Sequence, residues 1–241
     1  MKKYYVSEIL IFLIGVSVGS ILTYTIGDWD KTPEEAIEDS TKRYETAGNY
    51  QGIDVSHHQG HINWSLVAKD KHIQFVYIKA TEGATHVDKS YRFNITEARR
   101  YGLKCGSYHY LRNTSSISSQ FENFKTTAKR DIQDLIPIVD VEEKVAKDSI
   151  RLFCNLIRAH YGKRPVIYGT NRSYNSFCAP DFNNYILMIG RYGANRPVIK
   201  GTGHYDIWQY SQEGKVDGIE KPVDLNRFHP DFDLNRLLLE P

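Results

Sequence analysis

The sequence predicts an α/β fold in which a mostly parallel sheet closes into an irregular, TIM-like barrel. From residue 51 onward, short β-like runs alternate with segments that place apolar residues at helical spacing. Eight such runs are present, which is enough to close a barrel, and the connections after residue 201 are too short for full helices. With 241 residues, the chain has room for one such domain and a short appendage.

The eight predicted strands are rich in β-branched and aromatic residues and are bounded by polar or glycine-containing segments. They are GIDVS (52–56), QFVYIKAT (74–81), KCGSYHYL (104–111), IPIVDVEE (136–143), RPVIYGT (164–170), NYILMIGRY (184–192), HYDIWQYS (204–211) and PVDLNRF (222–228). Amphipathic helices are expected over 88–102, 116–130 and 149–162. Gly102 and Gly162 follow the first and last of these helices as C-terminal caps.

The N-terminus is predicted to be a targeting element, and it is set aside before the fold is considered. Lys2 and Lys3 precede an uncharged run from Ile9 to Gly27 that is just long enough to span a bilayer. We expect residues 1–27 to be a membrane anchor or, as the alternative, a cleaved signal; a buried core helix is the third reading. The charge distribution places the N-terminus in the cytoplasm and the barrel, residues 49–241, outside the membrane or secreted. Residues 28–48 are a charged linker.

The composition argues against nucleic acid as a partner, because the net charge is only +2 and no basic cluster is present. The 17 tyrosines suit sugar rings as well as partly buried positions. We expect a monomer. The number of cysteines is odd, so at least one of Cys105, Cys154 and Cys178 is unpaired in a monomer. A Cys154–Cys178 bridge is permitted in an oxidising compartment, and buried thiols are the alternative.

Polar and aromatic residues fall at the end of nearly every predicted strand. In a parallel barrel these ends converge on one face, where active sites lie. The residues concerned are Asp54, Lys79, Glu82, Tyr108, Tyr110, Asp140, Glu142, Tyr168, Arg191, Tyr192, Trp208, Tyr210 and Asp224. Strand ends are often polar simply because the adjoining loops are exposed to water. The prediction therefore depends on finding such residues at nearly every strand end rather than on any one residue.

Asp140 and Glu142 are the candidate catalytic pair. Residues two apart on a strand point to the same side, so both carboxyls should project into one pocket, whereas Glu143 should face away. Neighbouring carboxyls raise at least one pKa, which supplies a group that is still protonated near neutral pH. General-acid cleavage of a glycosidic bond requires such a group.

Other catalytic chemistries are weakly supported. His57 and His58 are adjacent, so on a strand they face opposite ways, and no zinc-binding motif accompanies them. Cys105 with His109 shows no sign of an activated thiolate. We therefore expect neither a metal nor another cofactor.

Seven motifs in order resemble glycoside hydrolase family 25, the Chalaropsis-type lysozymes. They are GIDVSHHQG (52–60), FVYIKATEG (75–83), GSYHY (106–110), PIVDVEE (137–143), PVIYG (165–169), DIWQYS (206–211) and VDLNRF (223–228). The resemblance implies a barrel of (β/α)5(β)3 type. It also implies cleavage of the β-1,4 bond between N-acetylmuramic acid and N-acetylglucosamine in peptidoglycan.

The resemblance further implies roles for individual residues. Glu142 would be the catalytic acid and Asp140 would orient the substrate's N-acetyl group for attack on the anomeric carbon; direct attack by water, with Asp54 or Asp140 as base, is the alternative. Asp224 would be a further pocket carboxylate, and the sugar subsites would be lined by Tyr108, Tyr168, Trp208 and Tyr210. Lys79 and Glu82 would lie at the edge of the site or form a simple ion pair.

The sixth strand departs from the family's pattern. Met188 and Gly190 replace the Trp and the following small residue expected there. Arg191 would meet a muramyl lactyl or peptide-stem carboxylate, or else pair with a surface acid. Two other functions remain open: a chitinase-like hydrolase, which would normally have an acid where Ile138 stands, and a glycan-binding barrel without catalysis.

Overall fold

The computed structural model describes residues 50–201 and 203–240, and eight of its strands close into a barrel. In chain order the strands are β1 (Gly52–Val55), β2 (Phe75–Glu82), β3 (His86–Val87), β4 (Lys104–Tyr110), β5 (Ile138–Asp140), β6 (Val166–Thr170), β7 (Leu187–Gly190), β8 (Ile207–Gly214) and β9 (Val223–Phe228). The order around the sheet is β1-β9-β8-β7-β6-β5-β4-β2-β3, and the β1–β2 pairing closes the ring.

All neighbouring barrel strands are parallel except at β9, which runs antiparallel to both β1 and β8. The eight barrel strands correspond to the eight predicted runs. The short strand β3 was not predicted; it folds back on the end of β2 as an antiparallel hairpin and stands outside the ring.

Helical segments follow each of the first five barrel strands. They are α1 (Trp64–Val67), α2 (Tyr91–Arg100), α3 (Ile117–Thr127), α4 (Lys147–Tyr161) and α5 (Asn171–Ser173), the last continuing as a π-helical turn over Tyr174–Cys178. No α-helix lies between β7 and β9 in the part of the chain that the structure describes. The fold is therefore a (β/α)5(β)3 barrel, as predicted.

The helix boundaries follow local chemistry. Ser116 caps α3 by accepting a hydrogen bond from the backbone of Ser119. Gly162 ends α4 with φ of 86°, in the left-handed region that favours glycine. The apolar faces of α2, α3 and α4 pack on the barrel, and α4 buries Ile150, Phe153, Cys154, Ile157 and Tyr161.

His109 and the three cysteines are buried between the barrel and its helices. His109 contacts Thr81 Oγ1 through Nδ1 (2.7 Å) and Gln120 Oε1 through Nε2 (3.1 Å), and its ring stacks on Phe153. Cys105, Cys154 and Cys178 are buried free thiols, and burial raises the pKa of each. The cysteines therefore occupy apolar positions rather than forming the Cys154–Cys178 bridge.

None of the helices in residues 50–201 and 203–240 is both long and apolar enough to cross a bilayer. The predicted anchor or signal over 1–27 and the linker over 28–48 lie outside the described residues.

Candidate active site

A cleft of about 470 Å3, part of it open to solvent, lies at the carboxyl ends of the barrel strands. It is lined by Asp54, Tyr77, Tyr108, Ile138, Asp140, Glu142, Tyr168, Met188, Tyr192, Gln209 and Asp224. These residues come from all eight barrel strands and from the segments that follow β5 and β7. Strand alternation explains the selection, because inward positions such as Ile138 and Asp140 are two apart.

Asp140 and Glu142 both line the cleft, but they differ in exposure. β5 ends at Asp140, so Glu142 lies just beyond the strand rather than on it. Asp140 is 5% exposed, and within the described part of the chain its Oδ1 has no hydrogen-bond partner. Glu142 is exposed at the mouth of the cleft. One carboxyl is therefore at the floor of the site and the other at its entrance.

Both carboxyls of the pair hold protons more tightly than a free carboxyl. Burial raises the pKa of Asp140 well above its usual value, and the charge of Glu142 adds to the shift. The pKa of Glu142 is also raised, first by partial loss of solvent among the surrounding protein atoms and then by the charge of Asp54. The ammonium of Lys79 opposes both shifts.

Asp54 and Asp224 stand opposite each other on the antiparallel strands β1 and β9 and share a hydrogen bond. Asp54 Oδ2 also accepts from Gln209 Nε2 (2.9 Å) and Asn226 Nδ2 (2.8 Å). Burial and the neighbouring Asp54 raise the pKa of Asp224 to about 9. Burial raises the pKa of Asp54 as well, while the hydrogen bonds from Asn226, Gln209 and Asp224 oppose that shift. The two carboxyls therefore share a proton near neutral pH, and the two amide donors favour Asp54 as the anionic partner.

Gln209 and Asn226 were not singled out from the sequence, although they stand in the motifs DIWQYS and VDLNRF. Gln209 Oε1 accepts hydrogen bonds from the hydroxyls of Tyr168 (2.7 Å) and Tyr192 (3.0 Å). Tyr192 was noted at a strand end but was not assigned to the site. The alternation of side chains along a strand could have identified both residues. In β8 and β9 these amides point to the same inward side as the residues that line the cleft.

Trp208, Tyr210 and Arg191 are not among the residues that line this cleft, and their role at the sugar subsites stays a prediction. Trp208 is the neighbour of the inward-facing Gln209, so alternation turns it outward. It is 1% exposed, donates from Nε1 to the Arg191 carbonyl (2.6 Å), and stacks with Arg227 at 4.0 Å. Tyr210 packs on the same arginine. The Arg191 guanidinium donates to the Arg196 carbonyl (2.7 Å).

Lys79 and Glu82 form the ion pair that was considered as one alternative. Lys79 Nζ donates to Glu82 Oε2 (2.6 Å), and Glu82 Oε1 accepts from Arg112 Nε at 2.9 Å. Neither residue is among those that line the cleft, but the charge of Lys79 reaches both candidate catalytic carboxyls. The Lys79 ammonium and the Arg112 guanidinium both lie over the ring of Tyr110.

His57 and His58 lie in a 3-10 turn that follows β1 and are not among the residues that line the cleft. His57 Nδ1 contacts Asp88 Oδ2 (2.7 Å), and its ring lies 4.0 Å from that of His58. Across residues 50–201 and 203–240, no group of three or more His, Cys, Asp or Glu side chains is arranged to hold a metal ion.

Comparison with known proteins is consistent with this architecture. The chain is 36% identical over 188 residues to YegX of Escherichia coli strain K12, an alignment that covers 74% of this chain and 69% of that protein. It is 34% identical over 200 residues to Lysozyme M1 of Streptomyces globisporus, covering 74% and 67%. The solved lysozyme of Streptomyces coelicolor superposes with a TM-score of 0.69 at 32% identity, covering 78% of this chain and 95% of that one.

A β/α barrel with clustered carboxyls at its carboxyl face is an arrangement typical of glycosidases. The family model for glycosyl hydrolases family 25 matches residues 53–219. The chain belongs to this family, which confirms the resemblance seen in the sequence, and it is a glycosidase.

Proposed function

We propose that the protein is an N-acetylmuramidase that cleaves the β-1,4 bond between N-acetylmuramic acid and N-acetylglucosamine in peptidoglycan. One observation carries the proposal: in a family 25 barrel, Asp140 and Glu142 enter the same cleft with raised pKa values and different exposure. Lysozyme M1 and the Streptomyces coelicolor lysozyme, whose names state such an activity, support it.

Glu142 acts as the general acid. Its position at the mouth of the cleft lets it reach the oxygen that links two sugars, and its raised pKa keeps a proton available for that oxygen. After the leaving sugar departs, the ionised Glu142 takes a proton from the attacking water. The same carboxyl thus serves as acid and then as base, as microscopic reversibility requires.

Asp140 orients the substrate's acetamido group. Its free Oδ1 at the floor of the cleft is placed to accept the acetamido N–H, while the acetyl oxygen attacks the anomeric carbon. The resting site favours the protonated form of Asp140 because the carboxyl is buried. Positive charge developing on the sugar stabilises the ionised form, so the interaction strengthens as the transition state is approached.

Direct attack by a water molecule is the competing mechanism, with Asp54 or Asp140 as base. The contacts of Asp54 argue against Asp54 in that role, because one oxygen accepts two amide donors and the carboxylate also shares the proton of Asp224. A base needs a free lone pair directed at water. Substrate assistance through Asp140 is therefore the mechanism that we propose.

The substrate places the barrel on the outer side of the cytoplasmic membrane, where peptidoglycan lies. The predicted uncharged run over 9–27 would keep the enzyme near the wall if it is retained, and would release it if it is cleaved. We propose a monomer, because the eight strands that supply the cleft residues close into a complete ring without a strand from another subunit.

The decisive experiment combines one substitution with product analysis. Glu142→Gln should abolish release of reducing ends from purified peptidoglycan while leaving the thermal midpoint within about 2 °C of wild type. Glu122→Gln, on the exposed face of α3, is the matched control and should keep full activity. Mass spectrometry of wild-type products should show reducing N-acetylmuramic acid ends. Reducing N-acetylglucosamine ends, or activity in Glu142→Gln, would contradict the proposal.

A further inference from the structure

Gln209 links the acidic and the aromatic sides of the cleft. Its amide nitrogen donates to Asp54 on β1, and its oxygen accepts from Tyr168 on β6 and from Tyr192 after β7. Gln209 is 3% exposed, so this side chain has little access to water as an alternative partner. Its hydrogen bonds are therefore made with these three residues.

The direction of these hydrogen bonds is fixed by charge. If the amide were reversed, its oxygen would face the Asp54 carboxylate and two acceptors would oppose each other. Asn226 donates to the same oxygen of Asp54, which reinforces the anionic state. The hydrogen bonds thus have Gln209 presenting its nitrogen to Asp54 on β1 and its oxygen to the two tyrosines, the arrangement that an ionised Asp54 favours.

The orientation of Gln209 determines which way the tyrosine hydroxyls donate. Each hydroxyl has one proton, and in both Tyr168 and Tyr192 that proton is given to Gln209 Oε1. Only lone pairs of the phenol oxygens remain for a ligand in the cleft. Tyr192 is 44% exposed, so its ring and oxygen are accessible to a sugar.

The close packing around Gly190 supports this hydrogen-bonded arrangement of Gln209 and Tyr168. A Cβ placed on Gly190 would lie 2.7 Å from the Tyr168 hydroxyl and 3.0 Å from Gln209 Oε1. The hydrogen bond between the tyrosine and the glutamine thus occupies the space that a side chain at 190 would take. A glycine at position 190 thus makes room for this contact.

We propose that Gln209 is a positioning residue that holds Tyr168 and Tyr192 as hydrogen-bond acceptors, forming a subsite for O–H or N–H donor groups of the sugar. Such a subsite favours a free hydroxyl or acetamido N–H over a group that can only accept. The titratable groups facing Gln209 are Asp54 and, through it, Asp224, together with the two tyrosines. This inference rests on the proposed function and names the residues that recognise its substrate.

Binding should be measured in the Glu142→Gln background, so that the ligand is not hydrolysed. The probe is a soluble tetrasaccharide of alternating N-acetylglucosamine and N-acetylmuramic acid, titrated by calorimetry near pH 5. Adding Tyr192→Phe, which keeps the ring, should weaken binding about three- to tenfold, the range for one neutral hydrogen bond. Because Tyr192 is partly exposed, this variant should fold normally.

Gln209→Glu and Gln209→Met are the discriminating pair, since both keep the size of the side chain. A protonated carboxyl can donate to Asp54 and accept from the tyrosines, so Gln209→Glu should bind within about threefold of the parent near pH 5. Gln209→Met can do neither and should bind about tenfold more weakly. A merely space-filling role would give equal binding for both variants.

The outcomes separate this inference from the proposed function. If the Glu142→Gln parent fails to bind the tetrasaccharide, the proposed function is contradicted. If the parent binds but Tyr192→Phe or Gln209→Met binds as tightly, or if the two Gln209 variants are equally weak, the subsite proposal is wrong.

Discussion

Arg112 donates from Nη1 to Glu143 Oε2 at 3.0 Å, joining the segment after β4 to the residue that follows Glu142. The other oxygen of Glu143 accepts the Asn113 backbone N–H at 2.5 Å. Arg112 also contacts Glu82, so one guanidinium bridges the ends of β2 and β5. Glu143, which was predicted to face away from the pocket, thus anchors the backbone that carries the proposed acid.

Arg112→Gln should therefore impair catalysis more than binding. Without the bridge, Glu142 samples positions away from the glycosidic oxygen, and kcat should fall about tenfold, equivalent to about 1.4 kcal/mol of barrier. The KM for soluble glycan should change less than twofold. Arg100→Gln, which removes a more exposed arginine and its ion pair with Glu97 on α2, makes the same change of residue type away from the cleft and is the control. A kcat equal to wild type in Arg112→Gln would show that the bridge does not position the acid.

The shared proton of Asp54 and Asp224 predicts a pH dependence of stability. The pKa of Asp224 is raised to about 9 in the folded state, so the folded protein binds this proton more tightly than the unfolded chain does. The stabilisation is fully present below the unfolded pKa and is lost as pH rises through about 9.

Asp224→Asn removes this titration while keeping a donor for Asp54. Between pH 5 and 9, the thermal midpoint should fall less steeply in Asp224→Asn than in wild type. Differential scanning calorimetry at intervals of one pH unit would measure it. Parallel curves for the two proteins would refute the shared-proton assignment.

His109 predicts an opposite dependence at acid pH. Burial lowers its pKa to about 4, so the unfolded chain binds the proton more tightly than the folded protein. Stability from the neutral His109 is present above the unfolded pKa, near 6.5, and is lost as pH falls toward 4. His109→Gln should flatten the loss of stability over this interval, measured by urea denaturation at each pH. An unchanged slope would mean that other groups dominate acid unfolding.

The position of Trp208 predicts that its substitution affects the stability of the protein more than the binding of glycan. Trp208→Phe removes the hydrogen bond to the Arg191 carbonyl and weakens stacking with Arg227, so the thermal midpoint should fall by several degrees. The KM for soluble glycan should stay within about twofold of wild type, unlike that of Tyr192→Phe. A large rise in KM with an unchanged midpoint would instead support the predicted role of Trp208 at the sugar subsites.

The sequence predicted the barrel because hydrophobic runs and their spacing determine strand number and order. It also brought Asp54, Asp140, Glu142 and Asp224 into one site, since carboxyl ends of barrel strands converge. For Trp208, the role at the sugar subsites stays a prediction, because a large aromatic residue suits an outer packing position as well as a sugar. The sequence did not indicate Gln209, whose importance comes from partners on β1, β6 and the segment after β7 that are distant in sequence.

The antiparallel strand β9 has a consequence for when the enzyme becomes active. It supplies Asp224 and Asn226 to a carboxylate on β1, across a separation of 172 residues between Asn226 and Asp54. Contacts of such long range form late in folding, because loop closure must precede them. A nascent chain that lacks β9 has neither a closed ring nor a partnered Asp54. Hydrolytic activity should therefore appear only after the whole barrel, including β9, has been synthesised and has closed.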